Sequence, residues 1–166
     1  ANFVFGACFA KTLSRLGLQT IYFSPGSRST PLVIGIERYS AIQLIPVLDE
    51  RSASFIALGQ SKQTNAPVGL ICTSGSALTH WFPAVTEASH SGIPLLLFSA
   101  DRPPELQDCG AGQTIYQQNL FGSFVRQFHQ VKVPQLREDF KAQLITTLQS
   151  AYQESTCLLY TSDAAD

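Results

Sequence analysis

Short apolar runs rich in β-branched and aromatic residues alternate along this chain with longer segments of helical periodicity. The predicted strands are residues 20–23, 42–47, 68–72, 95–99 and, with a weaker pattern, 128–133. Each reads as a continuous apolar stretch without strict polar alternation, which is typical of parallel strands covered on both faces. The alternation predicts βαβ units, and therefore a three-layer α/β/α domain with a mostly parallel sheet of about five or six strands.

The intervals between these runs carry recognisable helix boundaries. A first helix over residues 3–16 is expected to end at Gly17, which suits a left-handed C-cap. Thr30 can cap the second helix, with Pro31 in its first turn. Further helices are predicted over 49–62, over 75–90 and after Pro134. The last of them places one apolar stripe on the sheet, made of Leu136, Phe140, Leu144, Leu148 and Tyr152.

Composition sets the class of protein. The 166 residues, 45% of them hydrophobic, are enough for one core and too few for two ordinary domains. The formal net charge is −1 and the basic residues form no run, so nucleic acid and anionic membranes are not expected partners. The cysteines and histidines lack zinc-ligand spacing. The longest apolar runs are too short to span a membrane, and a reducing, cytoplasmic setting is expected.

Polar loops follow four of the predicted strands, at residues 24–29, 49–51, 73–76 and 100–102. Ligands of open parallel sheets bind at the carboxyl ends of the strands, so these loops should converge on one edge. The loop 24–29 offers hydroxyls, a guanidinium and backbone N–H groups, which suit a carboxylate or phosphate. A tight turn with a helix cap is an equal alternative for that loop, and ordinary capping also explains 73–76.

Three further features allow more than one interpretation. Glu50, taken alone, is best explained as a first-turn acid that complements a helix dipole, and Arg102 as a surface base ending a strand. The stretch 101–122 is rich in proline, glycine and polar residues and is expected to form a long ordered loop. Loops of this length in compact domains are usually functional or disordered.

Taken together, the loops resemble one family. The matching segments, in order, are SPGSRSTPL from Ser24, DERSASFIALG from Asp49, CTSGSA from Cys72, PAVTEAS from Pro83 and ADRPPELQDCGAGQT from Ala100. These segments are similar to the signature of the SEPHCHC synthases (2-succinyl-5-enolpyruvyl-6-hydroxy-3-cyclohexene-1-carboxylate synthases), which belong to the thiamine diphosphate superfamily. The resemblance runs from Asn2 to at least Arg126.

The resemblance implies a reaction and its partners. Members of this family join 2-oxoglutarate to isochorismate with loss of carbon dioxide, on the route to menaquinone or phylloquinone. The cofactors are thiamine diphosphate and Mg²⁺, and the hard chemistry belongs to the cofactor. The active site forms between the pyrimidine-binding domain of one subunit and the diphosphate-binding domain of another, which implies a homodimer or homotetramer.

The resemblance also assigns roles to residues. Glu50 matches the glutamate that hydrogen-bonds N1′ of the aminopyrimidine and favours its imino tautomer, and Gln113 matches a glutamine facing the reacting centre. Ser27, Arg28 and Arg102 fall on positions expected to hold substrate carboxylates, for which a guanidinium fork is well shaped. The residues expected to bind the cofactor's pyrimidine are Glu50, Pro25, Thr73 and Gly75.

The chain departs from the family pattern in places. Gly112 stands where the family usually has asparagine before Gln113, and His80 where many members have asparagine. Both departures leave open the direction of the Gln113 side chain and the contacts made near His80. The GDG motif and the asparagine that hold magnesium belong to a separate C-terminal domain and are missing here. Residues 1–156 are therefore predicted to be the pyrimidine-binding domain, inactive by itself.

Both ends of the chain are unusual, and two other functions are compatible with its residues. No methionine is present, so the natural start is expected to lie elsewhere. Residues 157–166 can be back-translated as TGT CTC TTA TAC ACA TCT GAC GCT GCC GAC, which resembles a sequencing adapter. The alternatives are an acetolactate-synthase-type enzyme, which needs Glu50 but neither Arg28 nor Arg102, and a non-catalytic anion-binding α/β module.

Overall fold

The computed structural model describes residues 1–131 and 138–156. In chain order its elements are α1 (Asn2–Arg15), β1 (Thr20–Phe23), α2 (Thr30–Tyr39), β2 (Gln43–Pro46), α3 (Glu50–Thr64), β3 (Val68–Cys72), α4 (Ser76–Thr79), α5 (Phe82–His90), β4 (Leu95–Ser99) and α6 (Glu138–Thr156). Single 3₁₀ turns lie at Pro104–Leu106 and Gly122–Phe124. No helix in these two ranges is both long and apolar enough to cross a bilayer.

The four strands form one parallel sheet in the order β2-β1-β3-β4. Tyr22 of β1 lies opposite Ile45 on one side and Leu70 on the other. Strand β2 lies on one side of β1, and β3 lies on its other side. The helical connections therefore run in opposite directions on the two sides of the β1–β3 pair. In open α/β sheets such a reversal opens a crevice at the carboxyl ends of the two strands, where ligands bind.

Helices cover both faces of the sheet. Ile21 and Ile71 pack in a cluster with α1, α2 and α6, whereas Tyr22 and Leu70 pack in a second cluster with α3 and α5. Neighbouring residues of a strand point to opposite faces, so each strand contributes to both clusters. The predicted three-layer α/β/α architecture with a parallel sheet is confirmed.

The sheet has four strands in the described ranges, not the five or six that the sequence predicts. The predicted strand at 128–133 is wrong for residues 128–131, which are irregular. Phe128 and Val131 are each 44% exposed, so this segment has none of the two-sided burial that stabilises a parallel strand. Residues 132 and 133 lie outside the described part of the chain.

The helix predicted over 75–90 is broken into α4 and α5. Proline lacks an N–H group, and its ring clashes with the carbonyl four residues earlier, so Pro83 cannot continue a helix that contains Thr79. The proline instead lies in the first turn of α5, where no hydrogen bond is lost. The break leaves Trp81 fully buried between the two helices.

Helices α1 and α2 cross at two glycines. A Cβ atom on Gly6 would collide with the carbonyl oxygen of Pro31, and one on Gly35 would collide with the carbonyl oxygen of Gly6. The two backbones are therefore in direct contact, at a distance that no side chain permits. Because α2 starts at Thr30, this crossing also sets the position of the loop that precedes it.

The stripe predicted for the last helix matches the structure where it is described. Leu144 and Leu148 of α6 are 2% and 5% exposed in the first cluster, and the Phe140 ring lies 5.8 Å from that of Phe5. Leu136 lies outside the described residues. Gly17 has φ +93°, the left-handed conformation expected for the end of α1.

Candidate functional site

The loops after β1 and β3 meet at the crevice between those strands. The Ser24 N–H donates to the Ile71 carbonyl at 3.0 Å, which extends the pairing of the strands by one residue. Beyond it, a Cβ atom on Gly26 would lie 2.8 Å from Oγ1 and 2.9 Å from Cγ2 of Thr73. Only glycine leaves room for the Thr73 side chain, so the two loops are held in direct contact.

The loop after β1 closes on the carbonyl of Gly26. Ser29 Oγ donates to this oxygen at 3.0 Å and Thr30 Oγ1 donates to it at 3.2 Å. The N-cap of α2 is Ser29, so the predicted cap Thr30 is instead the first helical residue. The turn leaves Pro25 and Ser27 exposed at its tip.

Arg28 reaches the loop that follows β4. Burial raises the pKa of the Asp101 carboxyl, while the Arg102 N–H and the charge of Arg28 act in the opposite direction. The Arg28 guanidinium thus lies within electrostatic range of Asp101, although the two residues follow different strands. Its Nε atom is buried and has no hydrogen-bond partner in the described part of the chain.

Arg102 is tied to the long loop. Its Nη2 donates to the carbonyl of Gly112 at 2.7 Å, and its backbone N–H donates to Asp101 Oδ1 at 2.7 Å. Its Nε atom, like that of Arg28, is buried without a partner among the described residues. A buried N–H group without an acceptor costs free energy, so both guanidinium groups are suited to an added anion.

Glu50 is the first residue of α3, and its side chain is half-buried. Asp49 caps the helix by accepting from the N–H of Ser52 at 2.7 Å and from its hydroxyl at 2.6 Å. These hydrogen bonds lower the pKa of Asp49, and the positive charge of Arg51 lowers it further. The cap is therefore made by Asp49, and the Glu50 carboxylate is not required for it.

The Glu50 carboxylate lies near the end of β3. Burial raises the pKa of the Cys72 thiol, and the negative charge of Glu50 raises it further. Cys72 is fully buried directly before Thr73. Glu50, which follows β2, is thus within electrostatic range of the carboxyl end of β3.

The segment around Gln113 packs on the loop after β3. Ser74 Oγ donates to the carbonyl of Gln113 at 3.1 Å, and a Cβ atom on Gly75 would lie 2.8 Å from that same oxygen. Gly75 has φ +82° and ψ −141°, a conformation that is essentially restricted to glycine. The Gln113 side chain itself is exposed, with its backbone at φ +55°.

Gln117 is a site residue that the sequence did not reveal. Its side chain is buried and accepts from the Gly75 N–H at 2.7 Å. In sequence it is one polar residue in a polar loop, and no motif or periodicity distinguishes it from its neighbours. Among the described residues, no group of three or more His, Cys, Asp or Glu side chains is arranged to hold a metal.

Comparison with known proteins identifies the family. Residues 4–125 match the family model described as thiamine pyrophosphate enzyme, N-terminal TPP binding domain. The chain belongs to this family. All the predicted site residues, from Pro25 to Gln113, lie within the matched range.

Several relatives carry a more specific name. A protein named 2-succinyl-5-enolpyruvyl-6-hydroxy-3-cyclohexene-1-carboxylate synthase from Crocosphaera subtropica is 46% identical over 154 residues, which cover 93% of this chain and 26% of that protein. One of the same name from Gloeothece citriformis is 48% identical, with the same coverage. Another, from Microcystis aeruginosa, is 54% identical over 123 residues, which cover 74% of this chain and 22% of that protein. The chain thus spans about a quarter of the length of the curated relatives it matches.

Proposed function

We propose that this chain is the pyrimidine-binding part of a SEPHCHC synthase, which joins 2-oxoglutarate to isochorismate with release of carbon dioxide. The main support is the arrangement at the crevice, where Glu50 and the guanidinium groups of Arg28 and Arg102 approach from loops that follow different strands. Both guanidinium groups keep a buried Nε without a partner in the described residues. An acetolactate-type enzyme has no need for this pair of cations.

The arginines and Ser27 are proposed to bind substrate carboxylates. Each substrate carries two carboxylates, and a planar guanidinium can donate two parallel hydrogen bonds to one of them. Ser27 lies exposed at the tip of the loop and offers a hydroxyl beside Arg28. Nη2 of Arg102 donates to the Gly112 carbonyl, which leaves the other N–H groups of the guanidinium for a ligand.

The residues at the crevice fit the pyrimidine ring of thiamine diphosphate. Glu50 supplies a carboxylate that is not used by the helix cap and that acts electrostatically on Cys72. Thr73 and Gly75 follow Cys72 in the same loop, and Pro25 lies in the loop that packs on Thr73. When bound, thiamine diphosphate supplies the nucleophilic carbon at which a 2-oxo acid loses carbon dioxide. Glu50 would hold a proton at ring atom N1′, and Gln113 would face the reacting atoms.

Magnesium and the diphosphate are proposed to bind outside this chain. The family resemblance implies ligands in a separate C-terminal domain, and this chain spans about a quarter of the length of its relatives. The assignment of residues 1–156 to one domain stays a prediction. Residues 157–166, with their resemblance to an adapter, lie outside the described residues. A cytoplasmic enzyme of menaquinone or phylloquinone synthesis fits the proposal.

The substrate assay tests the proposal directly. The complete coding sequence would be recovered and expressed, and carbon dioxide release from 2-oxoglutarate measured with thiamine diphosphate and Mg²⁺, with and without isochorismate. Isochorismate-dependent release is the expected result. Condensation of pyruvate instead would support the acetolactate-type alternative. A folded protein that binds no thiamine diphosphate would support the non-catalytic anion-binding module.

A second subunit is proposed to cover the exposed face of α3. Leu48 is 86% exposed directly before the cap of α3, and Phe55 and Ile56 on that helix are 46% and 45% exposed. Apolar side chains grouped in this way beside a ligand site are typical of an interface. Their position next to Glu50 agrees with an active site shared between two subunits.

Replacing Phe55 with aspartate is expected to raise the dimer dissociation constant of the complete protein by about thirtyfold or more, because a buried aromatic contact becomes an unpaired charge. Sedimentation velocity over a concentration series measures the change. Tyr39→Asp is the matched control, since Tyr39 is equally exposed (47%) on α2, which covers the opposite face of the sheet. Equal effects of the two substitutions would contradict the proposed interface.

A further inference from the structure

The segment that follows β4 contacts the ends of β3 and β4 through a buried polar side chain. Between residues 101 and 120, Gln117 is the one buried residue, 6% exposed, and the others are exposed or half-buried. The burial of Gln117 is unusual, since glutamine side chains are mostly exposed in folded proteins. Its burial must be compensated by hydrogen bonds.

Gln117 uses every polar atom of its carboxamide. Oε1 accepts from the Gly75 N–H at 2.7 Å, while Nε2 donates to the hydroxyl of Ser99 at 3.2 Å and to the carbonyl of Ala100 at 3.0 Å. The partners fix the orientation of the amide, because an N–H must face the oxygen and a carbonyl must face the NH₂ group. Only a carboxamide of this length satisfies both sides.

These contacts join two strand ends to one loop. Gly75 follows β3, Ser99 ends β4 and Ala100 follows it, so Gln117 bridges the two strand ends beside the crevice. Four residues earlier, the Gln113 carbonyl accepts from Ser74 Oγ and lies against the Cα atom of Gly75. Gln113 and Gln117 therefore contact the same loop, residues 73–76, through two separate hydrogen bonds.

We infer that Gln117 is a positioning residue, which holds Gln113 and the loop 73–76 in one fixed arrangement for the reaction. The inference rests on the proposed function for its chemical meaning. Gln117 itself is too deeply buried to meet a substrate. It acts through Gln113, whose side chain is exposed and whose carbonyl contacts the loop 73–76.

A kinetic double-mutant cycle in the complete enzyme tests this role. Gln117→Ala is expected to lower kcat by about 10- to 100-fold with little change in KM, because a small misplacement of a reacting group has an effect of this size. In a Gln113→Ala background the same substitution should lower kcat by less than about threefold. Additive effects would overturn the inference, as would a Gln113→Ala enzyme with unchanged kcat.

Two further variants separate positioning from general stability. Gln117→Glu keeps an acceptor for the Gly75 N–H but places a carboxylate oxygen against the Ala100 carbonyl, so it should lower kcat at least as much as Gln117→Ala. Gln118→Ala is the matched control, since Gln118 is the exposed neighbour of Gln117 and should leave kcat unchanged. A Gln118→Ala effect equal to that of Gln117→Ala would overturn the inference.

Amide hydrogen exchange tests the same contacts without using activity. In the complete protein, Gln117→Ala should speed exchange at residues 73–76 and 112–117 by at least about tenfold and leave β1 unchanged. Unchanged exchange at these segments would overturn the inference even in an active enzyme. If the wild-type protein does not use isochorismate, the proposed function fails, while exchange still decides whether Gln117 fixes the loops.

Discussion

Replacing Glu50 with glutamine should lower kcat of the complete enzyme by about 10²- to 10⁴-fold, the range found when a proton-transferring group is removed. Glutamine has the same shape as glutamate but is neutral, so it cannot take the proton-holding role proposed for Glu50. Because Asp49 makes the cap of α3, the helix should remain folded in the variant. The measurement is isochorismate-dependent carbon dioxide release at saturating substrate and cofactor.

The control for this variant is Glu37→Gln. Glu37 is exposed on α2 and lies on the opposite side of the sheet from α3, so its neutralisation should leave kcat unchanged. Cofactor affinity should be measured for both variants, which separates weak binding from slow chemistry. A Glu50→Gln enzyme with kcat within about threefold of wild type would mean that Glu50 only complements the helix dipole.

Replacing Gly75 with alanine should destabilise the folded chain by about 3 kcal/mol or more. The residue has φ +82° and ψ −141°, a conformation that costs an L-residue about 1–3 kcal/mol. The added Cβ would also lie 2.8–3.0 Å from backbone atoms of Gln113, which cannot rotate away as a side chain can. Relief of this clash would displace Gln113 and break the Gly75 contact with Gln117.

Urea unfolding followed by tryptophan fluorescence measures this effect. Trp81 is the single tryptophan of the chain and is fully buried, so its emission reports unfolding. For Gly75→Ala the midpoint should fall by about 1–3 M. Gly112→Ala is the control, because nothing lies within 4 Å of its added Cβ, and it should change stability by less than about 1 kcal/mol. A Gly75→Ala midpoint equal to that of the control would contradict the predicted strain.

The sequence predicted the sheet well where strands are fully buried. The bounds of β1, β3 and β4 coincide with continuous apolar runs, because both faces of these strands are covered. The prediction failed at 128–131, where Phe128 and Val131 look like strand residues but are half-exposed. Apolar composition alone does not report whether a neighbouring strand is there to pair with.

The sequence predicted which loops meet at the site but not the hydrogen bonds that join them. Parallel topology requires the loops after β1, β3 and β4 to share an edge, so the proximity of Arg28 to Asp101 followed from the order of elements. The bonds made by Gln117 and by Arg102 depend on the path of a long loop without regular structure. Periodicity carries no information on such a path, and a lone glutamine offers no motif.

The crossing of α1 and α2 restricts how this protein can diverge. Arg28 lies two residues before α2, so the depth at which Gly6 and Gly35 meet sets the height of the arginine above the sheet. A methyl group on either glycine would push α2 outward and carry the guanidinium with it. Substitution of Gly6, which lies on α1 away from the proposed substrate-binding loop, should therefore disturb the proposed position of Arg28 as well as the packing, whether or not Gly35 is replaced too.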